Sequence, residues 1–275
     1  MTLSSAQEQL LACFENVPNC LVAFSGGVDS AVVAKAAHVA LGDRAVAVTG
    51  VSASLASGEL GIARRIAQAI GIRHKIINTD ELDDPGYLAN APNRCWHCKT
   101  ELYSQMRQLA DGLGFQCIAN GTNFDDLGDF RPGLQAAAEH KVLSPLVECK
   151  INKQGVRQLA LDWNLEVWDK PASPCLSSRV VYGLEITPER LARIDAAEAL
   201  LKELGFSSVR VRCHHDELAR LEVAANEIAK LADDSLRSTI ASRLREIGFR
   251  YVTIDLEGFR SGSFLPLVEL AGHKR

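Results

Sequence analysis

The chain has 275 residues, with 30 Lys and Arg against 34 Asp and Glu, and a formal net charge of −4. That balance argues against nucleic acid as a partner, and no apolar run reaches the roughly 18 residues of a transmembrane helix, so no membrane association is expected. The length suits one large or two modest domains. The start, Met1-Thr2-Leu3-Ser4-Ser5-Ala6-Gln7-Glu8, lacks the basic-then-apolar pattern of a signal peptide, so a cytoplasmic protein is expected. Eight cysteines are scattered along the chain, a distribution that favours metal or catalytic use over a disulfide framework.

In chain order, the first apolar run, Cys20-Leu21-Val22-Ala23-Phe24, predicts a buried strand, and a helix is predicted over roughly 29–41. Between them stands Ser25-Gly26-Gly27-Val28-Asp29-Ser30. Paired glycines let the backbone turn tightly and approach a ligand. Ser25, Ser30 and the open N–H groups of a new helix can donate to phosphate oxygens. Asp29 would repel phosphate unless a divalent cation lies between them, which points to Mg²⁺. The spacing is not that of a Walker A loop; the bland alternative is an ordinary Gly-rich turn. The hexapeptide resembles the SGGxDS pyrophosphate loop of the PP-loop ATP pyrophosphatases, which cleave ATP between the α and β phosphates and adenylylate a substrate. The resemblance implies that Ser25, Gly26, Gly27, Asp29 and Ser30 bind ATP, with Asp29 on Mg²⁺.

Further strands are predicted at 44–51, 72–77 and 116–120, with helices at 57–70 and 98–112 between them. This alternation predicts an α/β fold with a parallel sheet covered by helices on both faces. Ligands in such sheets bind beyond the carboxyl ends of the strands. Gly121-Thr122-Asn123 follows the last run, so it opens on the same rim as the Ser25 loop. Gly121, Thr122 and Asp125 therefore join the nucleotide-binding candidates, Asp125 facing either the nucleotide, Mg²⁺ or solvent. After about residue 180 the pattern changes to a helix at 187–204, capped by Thr187 with Pro188 at its first position. A hairpin (209–214 and 218–223), helical stretches across 225–247 and a strand at 251–256 complete an α+β block. Two domains are expected: residues 1–180 for ATP binding and adenylylation, and a smaller one, 181–275, for substrate binding and oligomerisation.

Lys170-Pro171-Ala172-Ser173-Pro174-Cys175-Leu176-Ser177-Ser178-Arg179 sets one thiol in a proline-bounded, non-helical path. Arg179 can pair with phosphate or carboxylate and favours a thiolate beside it; the alternative is a structural cysteine in a linker. A thiolate near an ATP-activating loop suggests sulfur chemistry. Cys95-Trp96-His97-Cys98 can bind zinc with two further ligands, share an iron-sulfur cluster or cycle as a dithiol. Arg210 and Arg212 alternate along one strand and share a face, which would grip a substrate phosphate or lie solvated. Trp96 would stack on a cationic ring or simply pack. Glu198 and Glu222 would help bind a cation or be merely solvated. His97, His214 and His215 are weaker ligand candidates, Cys213 is ambiguous, and Cys13, Cys20, Cys117 and Cys149 read as buried packing residues.

Over nearly its full length the chain is similar to the LarE-type ATP-dependent sulfur transferases, a PP-loop family. The similarity rests on Phe24 to Ser30, Asn93-Arg94-Cys95-Trp96-His97-Cys98-Lys99, Gly121 to Gly133, Pro174 to Arg179, Val209 to His214, and Asp255 to Ser263. It implies a small-molecule nucleotide substrate, pyridinium-3,5-biscarboxylic acid mononucleotide. Its carboxylates would be adenylylated and converted to thiocarboxylates for the nickel-pincer nucleotide cofactor of lactate racemase. Cys175 would be the catalytic thiol, and Trp96, Ser178, Arg179, Arg210 and Arg212 would contact substrate. In the best-known form the cysteine gives up its own sulfur and is left as dehydroalanine. This chain departs from that form at Cys95 and Cys98, and with Cys175 matches members thought to carry a 4Fe-4S cluster on three cysteines. The family also implies a homo-oligomer, commonly a hexamer, and an upstream sulfur-donor protein or small thiol. Sacrificial or persulfide sulfur from Cys175, a PP-loop tRNA thiolase and a nucleotide- or cluster-sensing protein are the alternative readings.

Overall fold

Successive side chains of a strand point to opposite faces, and in the central strands of this protein both faces are buried. The computed structural model describes residues 4–128 and 132–260; Asp129-Phe130-Arg131 and Ser261-Gly262-Ser263, part of the family similarity, lie outside the described residues. The first compact unit comprises the chain up to Asp84 together with Asn93–Ser173. It begins with α1 (Ser5–Ala12), closed at its start by a capping box between Ser4 and Gln7. There follow β1 (Cys20–Ala23), α2 (Val28–Leu41), β2 (Ala45–Val51), α3 (Glu59–Ile70) and β3 (Arg73–Asn78). After the short α4 (Pro85–Leu88) come α5 (Arg94–Leu113), β4 (Cys117–Ala119), α6 (Pro132–Glu139), α7 (Pro145–Glu148) and α8 (Lys153–Asp162).

The four strands are parallel in the order β3-β2-β1-β4. Cys20, Val22, Ala45 and Ala47 pack on one face with α1, α2, α3 and α8, through Leu10, Phe14, Val32, Ile66 and Leu159. Leu21, Ala23, Val46 and Val48 pack on the other with Tyr103, Met106 and Ala110 of α5 and Ala136 and Ala137 of α6. This is the two-faced burial expected of a parallel sheet. The strand order turns back between β1 and β4, so the crevice at their carboxyl ends is the switch point where such folds bind ligands. One boundary differs from the sequence reading: α5 starts at Arg94 rather than 98, because the break lies at Pro92-Asn93 and nothing in Arg94-Cys95-Trp96-His97 interrupts a helix.

The second unit comprises Pro85–Pro92 and the chain from Pro174 onward. It holds α9 (Pro188–Glu203), β5 (Val209–His214), β6 (Leu218–Val223), α10 (Asp234–Ile247) and β7 (Tyr251–Ile254). β5 and β6 form the antiparallel hairpin read from the sequence, and β7 adds parallel to β6. The helical stretches expected across 225–247 are a 3-10 segment, Ala225–Ala232, and α10. Asp233 divides them by accepting from the N–H groups of Ser235 and Leu236. The division into units falls at Ser173/Pro174 instead of 180, and residues 85–92 join the second unit. Asn90 ties that segment down, its amide donating to the carbonyls of Val180, Val181 and Leu184. The Tyr87 hydroxyl meets that of Ser177 at 2.6 Å. Among the described residues no helix is long and apolar enough to cross a membrane.

Candidate active site

The Ser25–Ser30 loop joins β1 to α2 at the switch point, and it is braced from within. Ser30 Oγ donates to the Gly27 carbonyl at 3.1 Å and accepts from Ser25 N–H at 3.2 Å. The two serine hydroxyls lie 3.2 Å apart, and Gly27 N–H donates to Ser25 Oγ at 3.3 Å. Gly26 has φ +71, and a Cβ there would lie 2.8 Å from the Ala63 backbone; only glycine combines that turn with that approach. Gly27 caps α2 without a side chain, leaving the first-turn N–H groups open to an anion. Gly121 closes the other wall: a Cβ on it would stand 2.7 Å from Ser30 N. Thr122 N–H is held by Asn120 Oδ1 at 3.0 Å. Thr49 and His74, which the sequence reading passed over, secure the loop from behind. Thr49 Oγ1 donates to the Phe24 carbonyl at 2.6 Å, so His74 Nε2, 2.8 Å away, is the donor to Thr49. Burial and then Arg64 push the His74 pKa below its ordinary 6.5, leaving the ring neutral near pH 7.

Asp29 opens α2. Asn123 Nδ2 donates to its Oδ1 at 2.8 Å, and Asn123 is itself buried. Burial pushes the Asp29 pKa above 3.8, and the nearby Asp126 charge adds to this, against Asn123 and Lys153. A half-buried carboxyl with a second carboxylate close by is a site short of positive charge. That donor set fits Mg²⁺ accompanied by phosphate. Asp125, the expected neighbour, points elsewhere: its Oδ2 accepts from Lys153 N–H at the start of α8 at 3.0 Å. Its neighbour Asp126 takes the inner place, accepting from Asn123 N–H and lying 3.8 Å from Lys153 Nζ. Asn123, Asp126 and Lys153 are thus the residues missed here. The run of two aspartates after Asn123 was visible, but not which one turns inward.

Cys95, exposed, and Cys98, half-buried, stand three residues apart on the first turns of α5, a spacing that puts both thiols on one helix face. His97 Nδ1 pairs with Asp84 Oδ2 at 2.6 Å. Trp96 Nε1 donates to Glu139 Oε2 at 2.9 Å, and its ring meets His97 edge-on and packs on the α5 side of the sheet. Two thiols in this arrangement suit a shared centre; Cys175 belongs to the second unit. Among the described residues no three His, Cys, Asp or Glu side chains gather into a metal-binding group.

In the second unit, half-buried Cys175 caps a 3-10 turn, Leu176–Arg179. Its carbonyl accepts from Ser178 N–H, Ser178 Oγ and Arg179 Nη1. Arg179 differs from the expected substrate arm. It is 1% exposed, and its guanidinium is spent on both carboxylate oxygens of Glu198, on the Pro174 and Cys175 carbonyls and on Ser178 Oγ. Arg212 is also buried, donating to the Ser178 carbonyl at 2.9 Å and pairing with Glu222 at 2.8 Å. Glu198 and Glu222 are consequently neither solvated nor cation ligands: Glu198 also accepts from Val211 N–H, and Glu222 also holds Arg220. Arg210 shares the strand face with Arg212. It is half-buried, donates to the Val209 carbonyl and lies over the Phe259 ring, 5.1 Å from its centre. Cys213 is buried, its thiol pushed up to about 12 by burial and Glu217, which disfavours it as a ligand. Burial lowers the His214 pKa.

A family described as "Queuosine biosynthesis protein QueC" matches at residues 19–91, from β1 to just short of α5. The chain is 46% identical over 260 residues to an uncharacterized protein of Synechocystis, covering 94% of this chain and 97% of that one. It is 36% identical over 262 residues to the pyridinium-3,5-bisthiocarboxylic acid mononucleotide synthase of Lactiplantibacillus plantarum, covering 95% and 94%. A third relative, an uncharacterized protein of Methanocaldococcus jannaschii, is 27% identical over 241 residues, covering 88% and 90%.

Proposed function

Since the chain belongs to the LarE-type family of ATP-dependent sulfur transferases, within the PP-loop class, we propose that it activates the carboxylates of pyridinium-3,5-biscarboxylic acid mononucleotide with ATP and converts them to thiocarboxylates. The observation that carries this reading is the braced Ser25–Ser30 loop at the head of α2, with Asp29 held by Asn123. A carboxylate is a poor electrophile. Attack of its oxygen on the α-phosphorus of ATP forms the acyl-adenylate and expels pyrophosphate. The open N–H groups of α2 and the Ser25 and Ser30 hydroxyls bind the departing phosphates. Asp29 would hold Mg²⁺, which would supply positive charge to offset them.

A sulfur nucleophile then attacks the acyl carbon and AMP leaves; where Cys175 itself attacks, the product is a thioester. Arg179 positions this thiol by fixing the carbonyl of its own residue, and Arg210, beside Arg212, grips the substrate phosphate. Cys95, Cys98 and Cys175 are proposed to hold a 4Fe-4S cluster. Those three thiolates would hold the group, which would supply a transferable sulfide to the activated carboxylate. A second reading rests on Cys175 alone, half-buried at the head of the Leu176–Arg179 turn. In it Cys175 gives its own sulfur: the Cα proton is lost, the Cβ–S bond breaks and dehydroalanine remains. The protein is proposed to work in the cytoplasm as a homo-oligomer, supplied by a sulfur-donor protein or small thiol.

Anaerobic purification with iron and acid-labile sulfide analysis, followed by intact-mass measurement after turnover, tests the scheme. The cluster route predicts iron, labile sulfide and an unchanged chain mass. Loss of one H₂S mass at Cys175 establishes the sacrificial route. Release of ADP and phosphate in place of AMP and pyrophosphate would refute the PP-loop chemistry itself.

A further inference from the structure

Cys13 and Cys149 take no part in the chemistry above, yet their sulfurs lie 3.3 Å apart across 136 residues of chain. Cys13 caps the carboxyl end of α1 and Cys149 that of α7. Both belong to the first unit and both are half-buried. Each thiol also reaches the Gln9 carbonyl, at 3.6 and 3.5 Å, so the pair is held face to face by a shared acceptor. A disulfide measures about 2.05 Å between sulfurs, so closure needs an approach of only about 1.2 Å. We propose that Cys13 and Cys149 form an oxidant-driven, reversible disulfide clip that ties α1 to α7.

The order of events follows from the surroundings. Burial, the Cys149 thiol and Glu148 push the Cys13 thiol up to about 12, so Cys13 is a poor first nucleophile and Cys149 reacts first. A hydroperoxide oxidises Cys149 to the sulfenic acid, and the O–O bond breaks with release of one water from hydrogen peroxide. The Cys13 sulfur then attacks the Cys149 sulfur and displaces the hydroxyl as a second water. Two thiols and one peroxide become one disulfide and two waters. A thiol reductant reverses the step. The clip braces the segment that runs from Cys149 through Ile151, whose carbonyl accepts from Phe124 N–H, to Lys153.

The test treats the reduced full-length protein with hydrogen peroxide, alkylates residual thiols and maps peptides without reduction. The expected result is a Cys13–Cys149 linked peptide, removed by dithiothreitol. Tm should rise by roughly 5 °C or more over the reduced protein, as expected for a long closed loop. Cys13→Ser should lose the Tm rise and accumulate sulfenic acid on Cys149, trapped by dimedone. In Cys149→Ser, Cys13 should stay alkylatable. Cross-links confined to Cys95–Cys98 or Cys20–Cys117, or sulfinic acid on Cys149 beside a free Cys13, would overturn the proposal. A linked peptide with no Tm rise would overturn the bracing role.

Discussion

Asp29 carries a carboxyl whose ionisation burial makes costly. Its folded-state pKa lies above the unfolded one, so the folded chain binds more protons between the two values. Stability therefore falls as pH rises through that window, from near 3.8 upward. Asp29→Asn keeps an acceptor for Asn123 and removes the charge. It should raise the Tm of the ligand-free protein at pH 7 and flatten its acid limb. Pyrophosphate release should drop at least about a hundredfold, and Mg-ATP should no longer raise Tm. Thermal scans from pH 3 to 8 with and without Mg-ATP check both halves. Arg210 is the arginine to remove when probing substrate. Arg210→Ala should weaken binding of the mononucleotide by about 1.5–3 kcal/mol, read by calorimetry, with Tm little changed. Arg212→Ala would mislead, because it strips a partner from the fully buried Glu222 and destabilises the fold.

At the scale of elements, the contact between the Gly121 loop and the first turn of α2 sets the width of the phosphate crevice. A methyl at Gly121 meets backbone at 2.7 and 2.9 Å, at Ser30 N and the Asp29 carbonyl carbon. Gly121→Ala should separate the two elements and slow pyrophosphate release by about 10- to 100-fold, with circular dichroism unchanged. An unaltered rate would show that the crevice has slack. The elements that frame this crevice were legible because β1 and β2 are unbroken apolar runs and the glycine pair has a conformational meaning of its own. The arginines were harder to read. Arg179 looks like an exposed cation in sequence, and its partner Glu198 lies 19 residues away on another element. Pairing across elements leaves no local trace. The same holds for Asp125 and Asp126: whichever carboxylate turns inward is fixed by Lys153, on α8. The four-residue error at the start of α5 had a different cause, since Cys, Trp and His are poor enough helix formers to hide a real beginning.

For the whole molecule, the informative fact is that the second unit is discontinuous. Asn90, fully buried at φ +50, lends one amide to three carbonyls beyond residue 179. Asn90→Ala should therefore cost about 2–4 kcal/mol in a unit most of whose sequence begins at Pro174. Hydrogen exchange resolved by peptide should show the loss in residues 180–223 and leave β1 and β2 protected. Loss of protection confined to the first unit would contradict the assignment of residues 85–92.

The same segment fixes a timetable for biosynthesis. Residues 85–92 leave the ribosome well before the chain from Pro174 that completes their surroundings. At about 5–20 residues per second, the delay is roughly 4–18 s. The first unit's sheet can pair before Pro174 is reached, since β4 and α8 are synthesised within that interval. Tyr87, 1% exposed in the finished protein, has no Ser177 to meet until then. The nascent chain thus displays a short sticky segment for a period set by translation speed, and slowing the ribosome downstream of residue 93 lengthens its exposure to aggregation.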